Sequence, residues 1–250
     1  VPETIDNKFS FSTIEDFDNH INKSIPNYRS LITDVESLSQ YFIEPGTNVV
    51  DIGCSTGVFI ERLAKRFVSE NIDENAVSKG SLRTRFIGIE KEKNLAGDFD
   101  KMMTSSNTWA SCLNLHVCDV LDYLNNPSDV FQNMSLCTSI FTLQFLPSIE
   151  RRSILEMVFK TLNTGGAFIF SEKIYARGSK IQDMMTFIYY DFKRKHFNAE
   201  EILEKETSLR KIMRPVTENK ILSELKDVGF KQYDVFFKRY NFIGIIAIKD

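Results

Sequence analysis

Apolar positions along the chain change their spacing repeatedly, and those changes divide it into elements. Ile14, Phe17, Ile21 and Ile25 recur at helical intervals and predict a helix from Ile14 to Ile25, broken by Pro26, Asn27 and Tyr28. Leu31, Ile32, Val35, Leu38 and Phe42 form a second stripe, a helix capped by Ser30 and ended at Pro45-Gly46. From Thr47 onward, short apolar runs alternate with helical patterns. The strand candidates are Asn48 to Ile52, Arg85 to Glu90, Leu113 to Asp119, Thr138 to Leu143 and Ala167 to Ser171, with helices at Val58 to Phe67 and Ile149 to Leu162 among them. This alternation predicts a doubly wound α/β fold, a parallel sheet with helices on both faces. One helical segment spans about residues 179 to 213, and its first half, Ile181 to Phe192, carries a heavy aromatic and apolar load that must be buried somewhere. A helix from Glu218 to Val228 is stopped by Gly229. Lys231 to Phe237 and Asn241 to Lys249 then close the sheet with an antiparallel hairpin through Lys238-Arg239-Tyr240.

This pattern reads as a single domain over residues 1 to 250. Residues 1 to 44 form an N-terminal helical cover, and residues 175 to 215 a helical insertion over the site or at a dimer interface. The polar stretch Ser69 to Thr84 is long for a connection in such a fold and reads as a surface insertion. Composition agrees with a globular chain, since 42% of the 250 residues are hydrophobic and 26% charged. A net charge of -3 gives no overall pull toward nucleic acid or anionic membrane, which favours a small-molecule partner. The basic group Lys193 to His196 fits the end of a helix. Four cysteines, at 54, 112, 118 and 137, match neither a zinc pattern nor a disulfide scaffold, and His20, His116 and His196 are scattered, so no metal site is expected. No apolar run is long enough to span a bilayer and the stretch Val1 to Asp6 lacks a signal-peptide pattern, so the expected location is the cytoplasm.

Ligands of open α/β sheets bind beyond the carboxyl ends of the strands. The first strand runs into Asp51-Ile-Gly-Cys-Ser-Thr-Gly57, where Gly53 and Gly57 bracket a turn that lets a ligand approach the backbone and the helix N-terminus behind it. The second strand ends at Glu90, whose carboxylate suits a ribose diol, or else is a solvated strand end beside Lys91 and Lys93. The third ends at Asp119, which with Val120 meets an adenine ring, or else caps the next helix. In this order along one sheet the residues describe an adenosine site. Gln144, Glu172, Tyr189 and Tyr190 are further polar groups able to line it, with core packing and capping as their plainer roles; no catalytic base stands out.

The closing hairpin points to the seven-stranded class I methyltransferase variant of the Rossmann-like fold. More specific runs are Ser24-Ile-Pro-Asn-Tyr28, Pro45 to Ser55, Phe141-Thr-Leu-Gln-Phe-Leu-Pro147 with Glu150-Arg151, Gly165 to Lys173, Asp191-Phe-Lys-Arg194 and Phe237 to Lys249. Together they resemble the carboxy-S-adenosylmethionine synthase family from about residue 8 onward. That family is homodimeric, and its members carboxylate S-adenosyl-L-methionine at the sulfonium with prephenate as donor, for tRNA wobble-uridine modification. The resemblance implies that Tyr28 approaches the amino-acid part of the cofactor. Gly53, Cys54 and Ser55 would cradle it, Glu90 and Lys91 would flank the ribose, and Asp119 and Val120 the adenine.

Two departures alter the expected chemistry. The family's cofactor-contacting asparagine is Ile140 here, and the arginine that pairs with the added carboxylate aligns with Glu206. A glutamate there would repel a carboxylate, and Lys205, Arg210 or Arg214 replaces the arginine only if the helix is shifted. These departures favour an S-adenosylmethionine-dependent methyltransferase of unknown acceptor, displacing in line at the sulfonium methyl. The alternatives are a carboxy-S-adenosylmethionine synthase that tolerates the changes and a catalytically silent, dimeric cofactor-binding module.

Overall fold

A computed structural model describes residues 17–71, 84–96, 99–104, 107–125 and 129–250. In chain order the elements are α1 (Phe17–Ser24), α2 (Tyr28–Ser39), β1 (Asn48–Ile52), α3 (Val58–Asn71), β2 (Arg85–Glu90), α4 (Phe99–Met103), β3 (Leu113–Val117), α5 (Asp122–Asn125), β4 (Met134–Ile140) and α6 (Ser148–Thr161). They continue with β5 (Leu162–Lys173), α7 (Ser179–Lys193), α8 (Ala199–Ile212), α9 (Glu218–Val228), β6 (Gln232–Arg239) and β7 (Phe242–Ile248).

The strands form one seven-stranded sheet in the order β3-β2-β1-β4-β5-β7-β6. β1 lies between β2 and β4, parallel to both, whereas β7 runs antiparallel between β5 and β6. All five β1 residues are buried, which explains an apolar run without alternation: both faces of a central parallel strand are covered. Val49, Leu136 and Ile169 face a core built with Leu31 and Val35 of α2 and Ile60 and Leu63 of α3. Val50, Cys137 and Phe168 face the opposite core with Ile154 and Leu155 of α6 and Ile221 and Leu225 of α9. The switch at the β1/β4 boundary opens a crevice beyond the carboxyl ends of these strands.

Several boundaries differ from the sequence expectation. β4 begins at Met134, not Thr138, because Ser135, Thr138 and Ser139 are buried strand residues whose hydroxyls bond to Thr47, Asp51 and the Ile52 carbonyl. It ends at Ile140, where Phe141 turns into the left-handed region at φ 58° and a 3₁₀ turn over Leu143–Phe145 follows. The helical segment after β5 is two helices, divided where Asn198 forms a capping box with Glu201. α2 starts at Tyr28, so Tyr28 is helical and Ser30 is no cap; Asn27 turns the chain at φ 60° instead. α3 extends to Asn71, so Ser69 to Asn71 are helical; residues 72–83 of the expected insertion and residues 1–16 of the expected cover lie outside the described residues. The hairpin turns at Tyr240 and Asn241.

One buried ion cluster ties α6, β5 and α9 together. Arg151 donates from Nη1 to Glu172 Oε1 and from Nε to Glu224 Oε2 at 2.8 Å, with the Arg151 and Glu172 side chains 5% and 1% exposed. Burial pushes the Glu172 carboxyl up from its ordinary range against the opposing pull of Arg151. Removing one partner strands charge in the interior, whereas removing both leaves apolar packing. Arg151→Met is expected to lower unfolding free energy by about 3–5 kcal/mol in urea titration. Arg151→Met combined with Glu172→Leu should recover much of that loss.

Candidate cofactor site at the carboxyl ends of the strands

A cavity of about 660 Å³ lies at the crevice. Its volume falls within the range of roughly 300–1,000 Å³ usual for small-ligand sites. Tyr28, Asp51, Gly53, Cys54, Ser55, Glu90, Lys91, Asp119, Val120 and Ile140 all line it. Gly57 does not: it stands one residue before α3, and a Cβ there would meet Phe99 at 3.1 Å.

The β1 turn is built differently from the expected amide cradle. Gly53 and Cys54 both donate their N–H to the Ile89 carbonyl, at 2.8 and 3.0 Å, and Gly57 donates to Cys54. Ser55 donates its N–H to Glu90 Oε2 at 2.9 Å. These amides lock the turn to the end of β2, so the turn contributes shape to the cavity in place of the donors first expected of it. Gly53 sits at φ 76°, and a Cβ at this position would lie 2.1 Å from Thr142 Oγ1, so only glycine fits between β1 and the β4 turn.

Glu90 receives a second backbone bond, from Glu92 N–H to Oε1 at 2.9 Å. Burial raises its pKa while these N–H donors oppose the rise. Each carboxylate oxygen keeps a further lone-pair direction, and the group faces the cavity. Asp119 does cap the following turn, accepting from Leu121 N–H at 3.0 Å through Oδ1, while Oδ2 lies 3.9 Å from Lys91 Nζ. The two readings of Asp119 therefore coexist. Asp51 is fully enclosed, accepts from Thr138 Oγ1 at 2.7 Å, and has its pKa pushed up to about 7 by burial, with the nearby Glu90 charge adding to the rise. Burial also raises the Cys54 thiol and the Tyr28 phenol. Ile140 presents an apolar side chain at the end of β4.

Of the further polar candidates, Gln144 and Tyr189 line the cavity, whereas Tyr190 and Glu172 do not. Glu172 is committed to Arg151. Gln144 holds two backbones, accepting from Lys173 N–H through its side chain at 2.7 Å and from Arg214 N–H through its carbonyl at 2.7 Å.

Glu206 does not stand in the cavity as a lone negative charge. Its carboxylate lies 3.3 Å from Lys193 Nζ and 3.5 Å from Lys173 Nζ. Burial opposes its ionisation, but the two lysines outweigh that and hold its carboxyl below the ordinary range. Lys173, Lys205, Lys211 and Arg214 line the cavity, and Glu206 is not among the lining residues. Glu206 is therefore not the bare negative charge that the expected repulsion of a carboxylate assumes, since two lysines face it within the protein. Lys205 meets His20 of α1, which closes one side, and burial lowers Lys205 to about 8 and His20 to about 4. Sequence spacing alone did not reveal this cationic wall, because Lys173 ends β5 and the other members come from α8 and the loop after it. Phe141 was missed too; its ring packs between Tyr28 and Phe242, at 6.3 and 5.9 Å.

Among the described residues no helix is long and apolar enough to cross a membrane, and no cluster of side chains able to hold a metal ion occurs. Residues 35–213 match the FtsJ-like methyltransferase family. The chain is 32% identical over 241 residues to the carboxy-S-adenosyl-L-methionine synthase of Staphylococcus epidermidis, covering 96% of this chain and 95% of that protein. It is 28% identical over 245 residues to the synthase of Pseudoalteromonas translucida, covering 98% and 94%. Among solved structures, magnesium protoporphyrin IX methyltransferase of Synechocystis with bound SAH superposes with a TM-score of 0.55 at 13% identity, over 90% of this chain and 84% of that one. Phosphoethanolamine N-methyltransferase 2 of Haemonchus contortus superposes with a TM-score of 0.56 at 12% identity, over 89% and 52%. The fold is that of the class I methyltransferases and the cofactor is S-adenosyl-L-methionine. By sequence along nearly its whole length, this chain belongs to the carboxy-S-adenosyl-L-methionine synthase family.

Proposed function

We propose that the protein is an S-adenosylmethionine-dependent transferase that handles a carboxylate at the sulfonium end of its site, forming the carboxylated cofactor from an anionic donor of the prephenate class. The supporting observation is the cationic wall of Lys173, Lys205, Lys211 and Arg214, with the Glu206 charge neutralised behind it.

The residues present fit the cofactor. Glu90 offers acceptor capacity to two hydroxyls from a rigid position, and the buried Ser55 Oγ has no hydrogen-bond partner within the protein. Asp119 and Val120 supply a polar and an apolar contact for adenine, and Lys91 flanks the ribose. Asp51 and Tyr28 lie at the amino-acid end, where an ionised Asp51 would meet an ammonium group. Gly53, Cys54 and Ser55 shape the wall that separates the two ends. When bound, the cofactor would supply a sulfonium-activated methyl carbon, which on losing a proton would act as the nucleophile that takes the carboxyl group released by the donor, and which in methyl transfer would act as the electrophile. The chain orients its reactants and excludes water, a role that α1 and α8 perform by closing over the cavity.

Methyl transfer to a small-molecule acceptor is the second reading, and Ile140 favours it. An apolar group at the end of β4 removes a side-chain hydrogen bond that the family uses toward its cofactor. Either reading suits a homodimer, since α7 turns Ile181, Met184 and Phe187 outward, each more than half exposed.

Incubation with S-adenosylmethionine and prephenate, followed by denaturation and mass measurement of the released nucleosides, is expected to yield the carboxylated sulfonium. Unchanged S-adenosylmethionine in that assay, with methylation of an added acceptor, would decide for the second reading. Glu90→Ala should weaken S-adenosylmethionine binding roughly 10- to 100-fold by isothermal titration, the value of charge-assisted bonds to two hydroxyls.

Asp51 predicts a pH dependence. Its folded pKa near 7 lies above the ordinary carboxyl value, so the folded state keeps a proton that the unfolded state has lost between about pH 4 and 7. Across that window this group removes stability as pH rises, by at most about 1.4 kcal/mol per unit, and the loss levels off above pH 7. The slope of urea-derived stability against pH should flatten in Asp51→Asn. A cationic ligand favours the ionised form, so S-adenosylmethionine affinity should climb between pH 6 and 8 in the native protein and stay level in that variant.

A further inference from the structure

One face of α1 is turned to the cofactor cavity. Phe17, His20, Ile21 and Ser24 all line it, at the spacing of a single helical face, and Ser24 alone of this helix is buried. The inward side of α1 thus borders ligand space more than filled core, and polar ties to three other elements hold the helix in place. Asp18 accepts from Thr56 Oγ1 of the β1 turn at 3.2 and 3.3 Å, and the Ser24 carbonyl accepts from Tyr189 Oη of α7 at 3.0 Å. The third tie joins His20 Nε2 to Lys205 Nζ of α8. An ammonium has donors and no acceptor, so Nε2 accepts in this bond and the imidazole is neutral. Ser24 Oγ lies 3.1 Å from the same nitrogen, and Phe197 packs against the ring at 5.4 Å. The charged groups acting on the ring are Lys205 of α8, Lys193 of α7 and Lys23 of its own helix, all cations. A protonated Nε2 no longer accepts from Lys205 and sets a fourth cation against these three.

We infer that His20 is a positioning residue that latches α1 over the cofactor: its neutral imidazole ties α1 to α8 through Lys205, and uptake of a proton releases the helix. α1 runs through Ile25 into Tyr28, which lines the same cavity, so a lifted helix opens the site on that side. Burial, with the three lysines adding to it, holds the ring's pKa down at about 4 from the ordinary 6.5. With α1 lifted the ring regains its ordinary value, so between about pH 6.5 and 4 the open form binds a proton that the closed form excludes. Closure weakens as pH falls through that window, at most about tenfold per unit, and is full above it. Lys205, lowered by burial to about 8, stays charged throughout the window.

Hydrogen exchange of the α1 amides in the full, ligand-free chain tests the latch at about pH 7.5 and 5.5, read by mass spectrometry and corrected for the intrinsic effect of pH; circular dichroism checks the fold of each variant. In the native protein the corrected exchange is expected to rise roughly tenfold from the higher to the lower pH. His20→Ala should exchange faster at the higher pH and lose the acid-side rise. His20→Gln, whose side-chain oxygen accepts from Lys205 and does not titrate, should restore protection at both. In stopped-flow displacement at the higher pH, S-adenosylmethionine should leave His20→Ala several-fold faster than the native protein, and leave His20→Gln at close to the native rate. Unchanged α1 exchange in His20→Ala, an acid-side rise that persists in His20→Gln, or one dissociation rate for all three proteins overturns the inference. Should His20→Ala not fold, Lys205→Met removes the donor of the same bond and should speed α1 exchange at the higher pH, with no change there overturning the latch. The exchange readout needs no ligand, so it stands or falls apart from the transfer chemistry.

Discussion

The amides of Gly53 and Cys54 converge on a single carbonyl, that of Ile89, and the rest of the site depends on this convergence. It fixes the β1 turn against the end of β2, which in turn places the Ser55 amide within reach of Glu90. The geometry requires the left-handed backbone at Gly53, and the space beside it is already filled by Thr142 from the β4 turn. Three neighbouring strand ends are thus set by one turn. A flexible carboxylate at the end of β2 would lose entropy on binding a diol, whereas Glu90 has its two oxygens held by backbone donors before any ligand arrives.

Charge in the interior is treated in two ways by this chain, and the contrast separates structure from function. Arg151 meets Glu172 and Glu224 where α6, β5 and α9 join, outside the cavity lining, and Lys220 stands 3.5 Å from the other oxygen of Glu224, so two cations meet two carboxylates. Burial lifts the Glu172 pKa against the pull of Arg151, and none of Arg151, Glu172 and Glu224 lines the cavity. The cluster at Glu206 sets two lysines against one carboxylate and does border the cavity through Lys173. The residues are adjacent in sequence, Glu172 and Lys173, yet strand alternation sends one to a packed interface and the other to the site.

How much of this was legible in the sequence depended on whether polar residues interrupted a pattern. β1 and β2 match their expected bounds because both faces are covered and each carries an apolar run, Val49-Val50 and Ile52 in β1 and Phe86 to Ile89 in β2. β4 was displaced by four residues at its start because Ser135, Thr138 and Ser139 are satisfied by partners in distant segments, which a local window does not contain. The carboxylates at strand ends were found for a reason intrinsic to the fold, and they meet in one cavity. The amide cradle was not, since the destination of a backbone N–H is settled by the neighbouring strand. Glu206 illustrates the limit best. Read along the sequence it is a lone carboxylate, but its two counter-charges are 33 and 13 residues away, and only the packing of α7 and α8 on β5 brings them together.

A charge reversal at a binding position is therefore weak grounds for loss of a ligand until the electrostatic environment is known. Replacing a buried arginine by glutamate changes the local charge by two units, and in isolation that would be prohibitive. Here Lys173 and Lys193 surround the glutamate, so Lys173, Lys193 and Glu206 together still carry one positive charge when all three are ionised, as one arginine would. What differs is geometry. A guanidinium presents a planar fork, whereas Lys173 offers a single ammonium aimed by its neighbours. A lone ammonium does not orient a partner in two directions as a fork does, and here the ring faces of Tyr189 and Phe242 hold the Lys173 ammonium in place. Beside the cavity, the group of Lys173, Lys193 and Glu206 thus presents one ammonium, and the sign of the charge there is set by packing that joins three elements.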